Sequence, residues 1–292
     1  MTKPNISEPA EIVFIIANHW SGSTWLSFVL GTHQRAANLG EHWRRFRGDR
    51  LCECRTCQHK GLLHCEVLHG ITSAPIEEAY SLPLARLASQ GVETLIDNSK
   101  FLDWLDQVLA VGACDPASVR VIHLVRDPRG WITSALGRQP TLQVAPLLED
   151  WKQRVIDHKS RLAILGLPTL QLTYDRVCLD SGKMLELVSE FVGLRYGPDH
   201  LRYWDCEHHA MAGNGASISV VPGSGKGNTW DRDYYLSNLG RTFHDDRWRQ
   251  RLGPAAIRYV TSDSEAARLM EEFGAGFELL DELAIFQAAS GG

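Results

Sequence analysis

The chain lacks an excess of positive charge. Its 30 Lys and Arg face 35 Asp and Glu over 292 residues, a formal net charge of −5. Proteins that coat nucleic acid or lie on anionic membranes draw affinity from surplus cations, so neither partner is expected here. Any anion site must be built locally. No long apolar run is present either. Ile12 to Ala17 is only six residues, against the roughly 20 that a membrane-spanning helix needs. A cytoplasmic protein is expected. Cysteine is scarce for a disulfide-stapled scaffold, which the length also excludes, and seven thiols is an odd number that leaves at least one unpaired. Internal repeats and low-complexity blocks are missing, apart from a glycine-rich stretch near position 223 and a small tail after Ala284 that is expected to fray.

Short apolar segments alternate with segments of helical periodicity. Ile12 to Ala17, Glu93 to Asp97, Val119 to Val125 and Thr169 to Thr173 read as strands, and Leu39-Gly40 as the end of another. Ser23 to Leu30, Pro83 to Gln90, Phe101 to Val111, Trp131 to Leu136, Leu147 to Leu165 and Lys183 to Val192 read as helices. Val- and Ile-rich strands without alternation, each separated by a helix, indicate a parallel sheet covered on both faces. The predicted fold is a three-layer α/β/α domain with right-handed crossovers, in which ligands bind beyond the carboxyl ends of the strands.

Two motifs sit at such ends. After the first strand comes Trp20-Ser21-Gly22-Ser23-Thr24-Trp25. A small-residue turn opening a helix gathers backbone N–H groups and the positive end of the helix dipole, which favours an anion, although an ordinary capping turn has the same composition. After Val125 comes Arg126-Asp127-Pro128-Arg129-Gly130, with Ser134 two helical turns on. A guanidinium and a hydroxyl so spaced can clamp one phosphate.

Together these motifs resemble the cofactor motifs of sulfotransferases that use 3′-phosphoadenosine 5′-phosphosulfate (PAPS). The resemblance spans about Ile12 to Asp175 and implies a P-loop-NTPase-like sulfotransferase fold. In that family the first loop, here Ser21 to Thr24, holds the 5′-phosphosulfate, while the arginine and serine matching Arg126 and Ser134 bind the 3′-phosphate. Trp25 matches a tryptophan that packs on adenine, and Leu172-Thr173-Tyr174-Asp175 resembles the segment whose tyrosine approaches adenine. One position departs: the family usually has Lys or Arg where this chain has Trp20. Lys100, after another strand, is expected to supply that cation.

The implied reaction is in-line transfer of a sulfuryl group to a hydroxyl or amine of a small-molecule or sugar acceptor. It needs a base for the acceptor proton and donors for the departing phosphate. Glu41 resembles the family's base. His42, His208 and His209 are alternatives, because imidazole titrates near neutrality; His209 joins Glu41 and Lys100 as a catalytic candidate. The stretch Val220 to Asn228 fails as a nucleotide-kinase phosphate loop, and resembles instead a late lid whose Lys226 and Gly227 close on the 3′-phosphate.

Cys52, Cys54, Cys57 and Cys65 form a dense thiol cluster that suits a structural zinc, with a reduced loop or an oxidised pair as the other readings. The chain is thus expected to be one sulfotransferase domain over 1–292, with a cysteine-rich insertion at about 48–70 and a C-terminal lid and helical region at about 204–285. Two other functions fit the same sequence. A P-loop phosphotransferase would require ATP and Mg²⁺, and a non-catalytic zinc-stabilised α/β binding protein would use neither nucleotide. Neither the acceptor nor the oligomeric state is legible.

Overall fold

The structure, a computed structural model, describes residues 11–47, 54, 56–57, 60–62, 65, 67–68, 74–210, 213–219, 221, 232–238 and 240–290. Five strands form one sheet: β1 (Ile12–Ala17), β2 (Ala36–Gly40), β3 (Thr94–Lys100), β4 (Val119–Val125) and β5 (Thr169–Thr173). Their order is β2-β3-β1-β4-β5, and every pair is parallel. β1 is buried along its whole length, the reason its sequence runs apolar without alternation. Val13, Ile15 and Ala17 enter one core with Leu26, Phe28 and Leu30 of α1 (Ser23–Leu30) and Val188 of the helix Ser181–Val192. Ile12, Phe14 and Ile16 enter the opposite core with Leu105 and Val108 of the helix Leu102–Ala110. The sheet is therefore the middle of three layers, as predicted.

Local chemistry sets the boundaries near the strand ends. The helix Pro128–Arg138 starts at Asp127, whose Oδ1 accepts the Arg129 N–H at 2.8 Å, with Pro128 in the first turn where no N–H is needed. The long helix Val144–Leu165 stops at Gly166, φ 65°. This pair of helices forms a third apolar cluster with the C-terminal helices Pro254–Thr261, Ser264–Glu272 and Phe277–Ser290.

One expectation is corrected. The chain beyond Ala284 is helix through Ser290 rather than a frayed tail. Helical hydrogen bonding over fourteen residues, anchored by buried Leu280 and by Leu283 and Ala284 against the third cluster, carries it outward.

Candidate active site

All five strands deliver a side chain to one cavity just beyond their carboxyl ends. β1 runs into the loop that carries Trp20 and Gly22 to Trp25, β2 into Glu41, β4 into Arg126 and β5 into Tyr174, while β3 ends on Lys100, and all of these residues line a cavity of about 460 Å³. That size lies within the roughly 300–1,000 Å³ of small-molecule sites.

Two strand ends depart from regular backbone to make this possible. Trp20 and Lys100 are the non-glycine residues at positive φ, 64° and 72°, among the described residues. Beside Lys100 the β1–β3 register shifts: Phe14 pairs with Asp97 but Ile16 with Lys100, one extra residue on β3. A bulge re-aims the side chains after it. The turn is held by buried Asp97, which accepts the Ser99 N–H at 2.6 Å, the Tyr80 hydroxyl at 2.7 Å and the Trp104 indole at 3.0 Å.

Lys100 Nζ donates to Glu41 Oε1 at 2.5 Å, and Arg44 Nε donates to Glu41 Oε2 at 2.6 Å. Burial pushes the Glu41 carboxyl up, but Lys100 and Arg44 outweigh it and hold the group below its ordinary range. Burial lowers the Lys100 ammonium and the Glu41 charge restores only part of this. Each partner thus favours the charged form of the other.

Arg126 is buried where three segments meet. Nη1 donates to Ser134 Oγ and to the Trp20 carbonyl, both at 3.1 Å, and Nη2 donates to Asp245 at 3.0 Å (carbonyl) and 3.1 Å (Oδ2). The guanidinium lies over the Tyr174 ring at 5.0 Å. Its Nε has no hydrogen-bond partner and packs against Gly130, where an added Cβ would come within 2.8 Å of it. Asp245 is also gripped by Arg247 at 2.7 Å, so its carboxyl titrates far below normal despite burial.

No side chain caps the first turn of α1 and no acidic residue sits there. The N-terminal amides and the dipole are left to an anion. Ser23 and Thr24 line the cavity with Trp25, whereas Ser21 is buried outside the lining, its hydroxyl without a partner. Thr24 Oγ1 accepts the Asn214 N–H at 3.0 Å. Gly22 adopts φ 82° and lies so close to Tyr174 that an added Cβ would stand 2.3 Å from the ring. Trp20 turns its ring toward Trp131, at 5.9 Å, with the Arg138 guanidinium 5.3 Å from it.

The cavity thus gathers Glu41, Lys100, Trp20, Gly22 to Trp25, Arg126, Ser134 and Tyr174. His209 is placed elsewhere: its Nδ1 faces the sulfurs of Cys54, Cys57 and Cys65 at 3.8, 3.3 and 3.6 Å. His42 and His208 are buried against backbone carbonyls, and burial pushes them down to about 3 and about 4. Neither lines the cavity. Lys226, Gly227 and Cys52 lie outside the described residues. Sequence reasoning missed Asp245, Asn214 and Tyr235, which also line it. No short-range pattern marks them, because they arrive from a segment more than 100 residues beyond β4 or from the chain just before it.

No protein-family model and no curated relative matches the sequence. Solved structures do. The sulfotransferase domain from the curacin biosynthetic pathway aligns over 92% of this chain and 99% of its own, at TM-score 0.55 and 14% identity. The sulfotransferase domain from the Synechococcus PCC 7002 olefin synthase aligns over 94% and 98%, at TM-score 0.50 and 20% identity. Among the described residues no helix is long and apolar enough to cross a membrane. The five parallel strands, the helices on both faces and these two likenesses together establish that the chain has the sulfotransferase fold.

Proposed function

We propose that this protein is a PAPS-dependent sulfotransferase acting on a hydroxyl or amine of a small-molecule or sugar acceptor. The observation that carries this reading is the meeting of Lys100, Arg126 with Ser134, and the uncapped start of α1 in one cavity. Each is an anion-binding element, and they arise at separate strand ends.

The residues present fit such a cofactor. The α1 amides with Ser23 and Thr24 would hold the 5′-phosphosulfate, Arg126 and Ser134 the 3′-phosphate, and Trp25 and Tyr174 the adenine. Bound PAPS supplies an activated sulfuryl group with a phosphate leaving group. The chain's own part is electrostatic and acid–base. Lys100 would stabilise the charge that builds on the leaving phosphate, in the role left open by Trp20. Glu41 takes the acceptor's proton. With Lys100 drawn toward an anion, Glu41 loses its nearest cation and becomes a stronger base.

A thermal-shift series tests this reading. 3′-phosphoadenosine 5′-phosphate without metal, at a hundredfold over Kd, is expected to add about 2.7 kcal/mol and raise Tm by about 5 °C. Stabilisation by ATP with Mg²⁺ instead would assign a phosphotransferase. Labelled PAPS with an acceptor panel then reads transfer directly.

A further inference from the structure

Away from this cavity, four metal-ligating side chains converge among the described residues. The ligand atoms of Cys54, Cys57, Cys65 and His209 all lie within 4.8 Å of one another. We propose that these four residues bind one Zn²⁺ as a closed tetrahedral site, which fastens the cysteine-rich segment to the chain entering the cavity wall.

Geometry is the first argument. His209 Nδ1 stands 3.8, 3.3 and 3.6 Å from the three sulfurs. A tetrahedral zinc with Zn–S of about 2.3 Å and Zn–N of about 2.0–2.1 Å sets every S–N edge near about 3.6 Å. Thiols packed as small apolar groups have no reason to set one imidazole nitrogen at that distance from all three. The sulfurs are fully buried and reduced, and a disulfide would consume only two of them.

Orientation of the imidazole is the second. Its other nitrogen, Nε2, donates to Glu207 Oε1 at 2.9 Å, and Lys60 holds the same oxygen at 2.6 Å. A carboxylate on the far nitrogen directs the lone pair of the near one to a metal, the arrangement found behind zinc-ligating histidines. Cys54 and Cys57 also have two residues between them, a spacing common in structural zinc loops.

The proposed ligand set has His209 as its fourth member where the sequence suggested Cys52, which lies outside the described residues, and that difference changes what the site does. Four cysteines of one segment would only close a local loop. A histidine about 150 positions on crosslinks that segment to the 203–214 stretch. The same two segments are joined by Thr56 Oγ1, which donates to the His208 carbonyl at 2.7 Å. The His208 ring packs on Phe28 of α1 at 4.8 Å, and farther along, Asn214 donates to Thr24 in the cavity. Zinc here has four protein ligands and no open position, so its role is structural. On binding, it displaces the three thiol protons, which pass to solvent.

Elemental analysis of the full chain tests the proposal, with about one zinc per chain expected. Exchange with Co²⁺ should give the intense visible bands of a tetrahedral thiolate site. His209→Ala and Cys57→Ser should lose the metal and Cys52→Ser should keep it. Glu207→Gln, which touches no ligand sulfur, should fold and yield zinc to a chelator about 10- to 100-fold more readily. Metal-free protein from zinc-supplemented cells with no Co²⁺ spectrum would overturn the site, as would bound iron. Loss in Cys52→Ser with retention in His209→Ala would overturn the ligand set. If His209→Ala does not fold, the Glu207→Gln competition and the wild-type Co²⁺ spectrum decide.

Discussion

Lys100 Nζ and Glu41 Oε1 lie 2.5 Å apart across the ends of β3 and β2, both side chains nearly buried at 7% and 12% exposure. The cation proposed to stand in for the one missing at Trp20 is thus bound to the residue proposed as the base, and a change at either alters the other.

Glu41→Gln is expected to lower kcat by about 10²- to 10⁴-fold, the usual worth of a positioned base, with nucleotide affinity kept. Lys100→Met should lower kcat by about 10²- to 10³-fold. The two differ in pH dependence. In the wild type the carboxyl sits below its ordinary value of 4.5, so activity falls only as pH drops beneath that value. Without Lys100, burial dominates and raises the carboxyl, and the acid limb of kcat/KM moves toward neutrality. An unmoved limb would remove Glu41 from the mechanism.

Asp245 occupies the guanidinium of Arg126, the group proposed to bind the 3′-phosphate. Asp245→Asn is expected to tighten 3′-phosphoadenosine 5′-phosphate binding about tenfold, the worth of one charge-assisted hydrogen bond. Its buried charge also balances Arg126 and Arg247, so Tm should fall in the same variant. Calorimetry and thermal denaturation read the two effects separately. Weaker nucleotide binding would show that Asp245 positions Arg126 rather than opposing its ligand.

Gly22 and Gly91 have nearly the same left-handed backbone, φ 82° and 79°, but a Cβ at Gly91 meets open space. Gly91→Ala should cost only the conformational penalty, about 1–2 kcal/mol. Gly22→Ala adds the collision with Tyr174 and should cost clearly more in urea denaturation. Truncating the ring with Tyr174→Ala should narrow the difference in a double-mutant cycle.

Acid should unfold the protein through its buried histidines. Burial lowers His42 to about 3, His158 to about 4 and His123 well below normal. Both His123 ring nitrogens lack partners, and the ring packs on Phe273 at 5.0 Å. The unfolded chain binds protons below about pH 6.5 and the native chain does not, so stability is complete above that pH and falls as pH drops through it. Each histidine contributes up to about 1.4 kcal/mol per pH unit. Urea midpoints at pH 7.5 and pH 5 check this, and His123→Leu should flatten the slope.

Much of the scaffold was legible in the chain itself. β1, α1, β4 and β5 have the boundaries read from sequence, because an apolar run between turn residues and a helical period are local signals. The two loops proposed to hold the cofactor were visible for the same reason: they directly follow strands, and the parallel fold sends every strand end to one side.

What the sequence by itself determined is therefore the layered fold and the position of the two candidate anion-binding loops at strand ends, since each rests on residues close in the chain. Only the tertiary structure decided the partners. That Lys100 meets Glu41, that Asp245 holds Arg126, and that His209 faces Cys54, Cys57 and Cys65 depend on contacts 59, 119 and about 150 residues apart. Such contacts leave no local periodicity, because they arise when strand order and helix packing bring distant segments together.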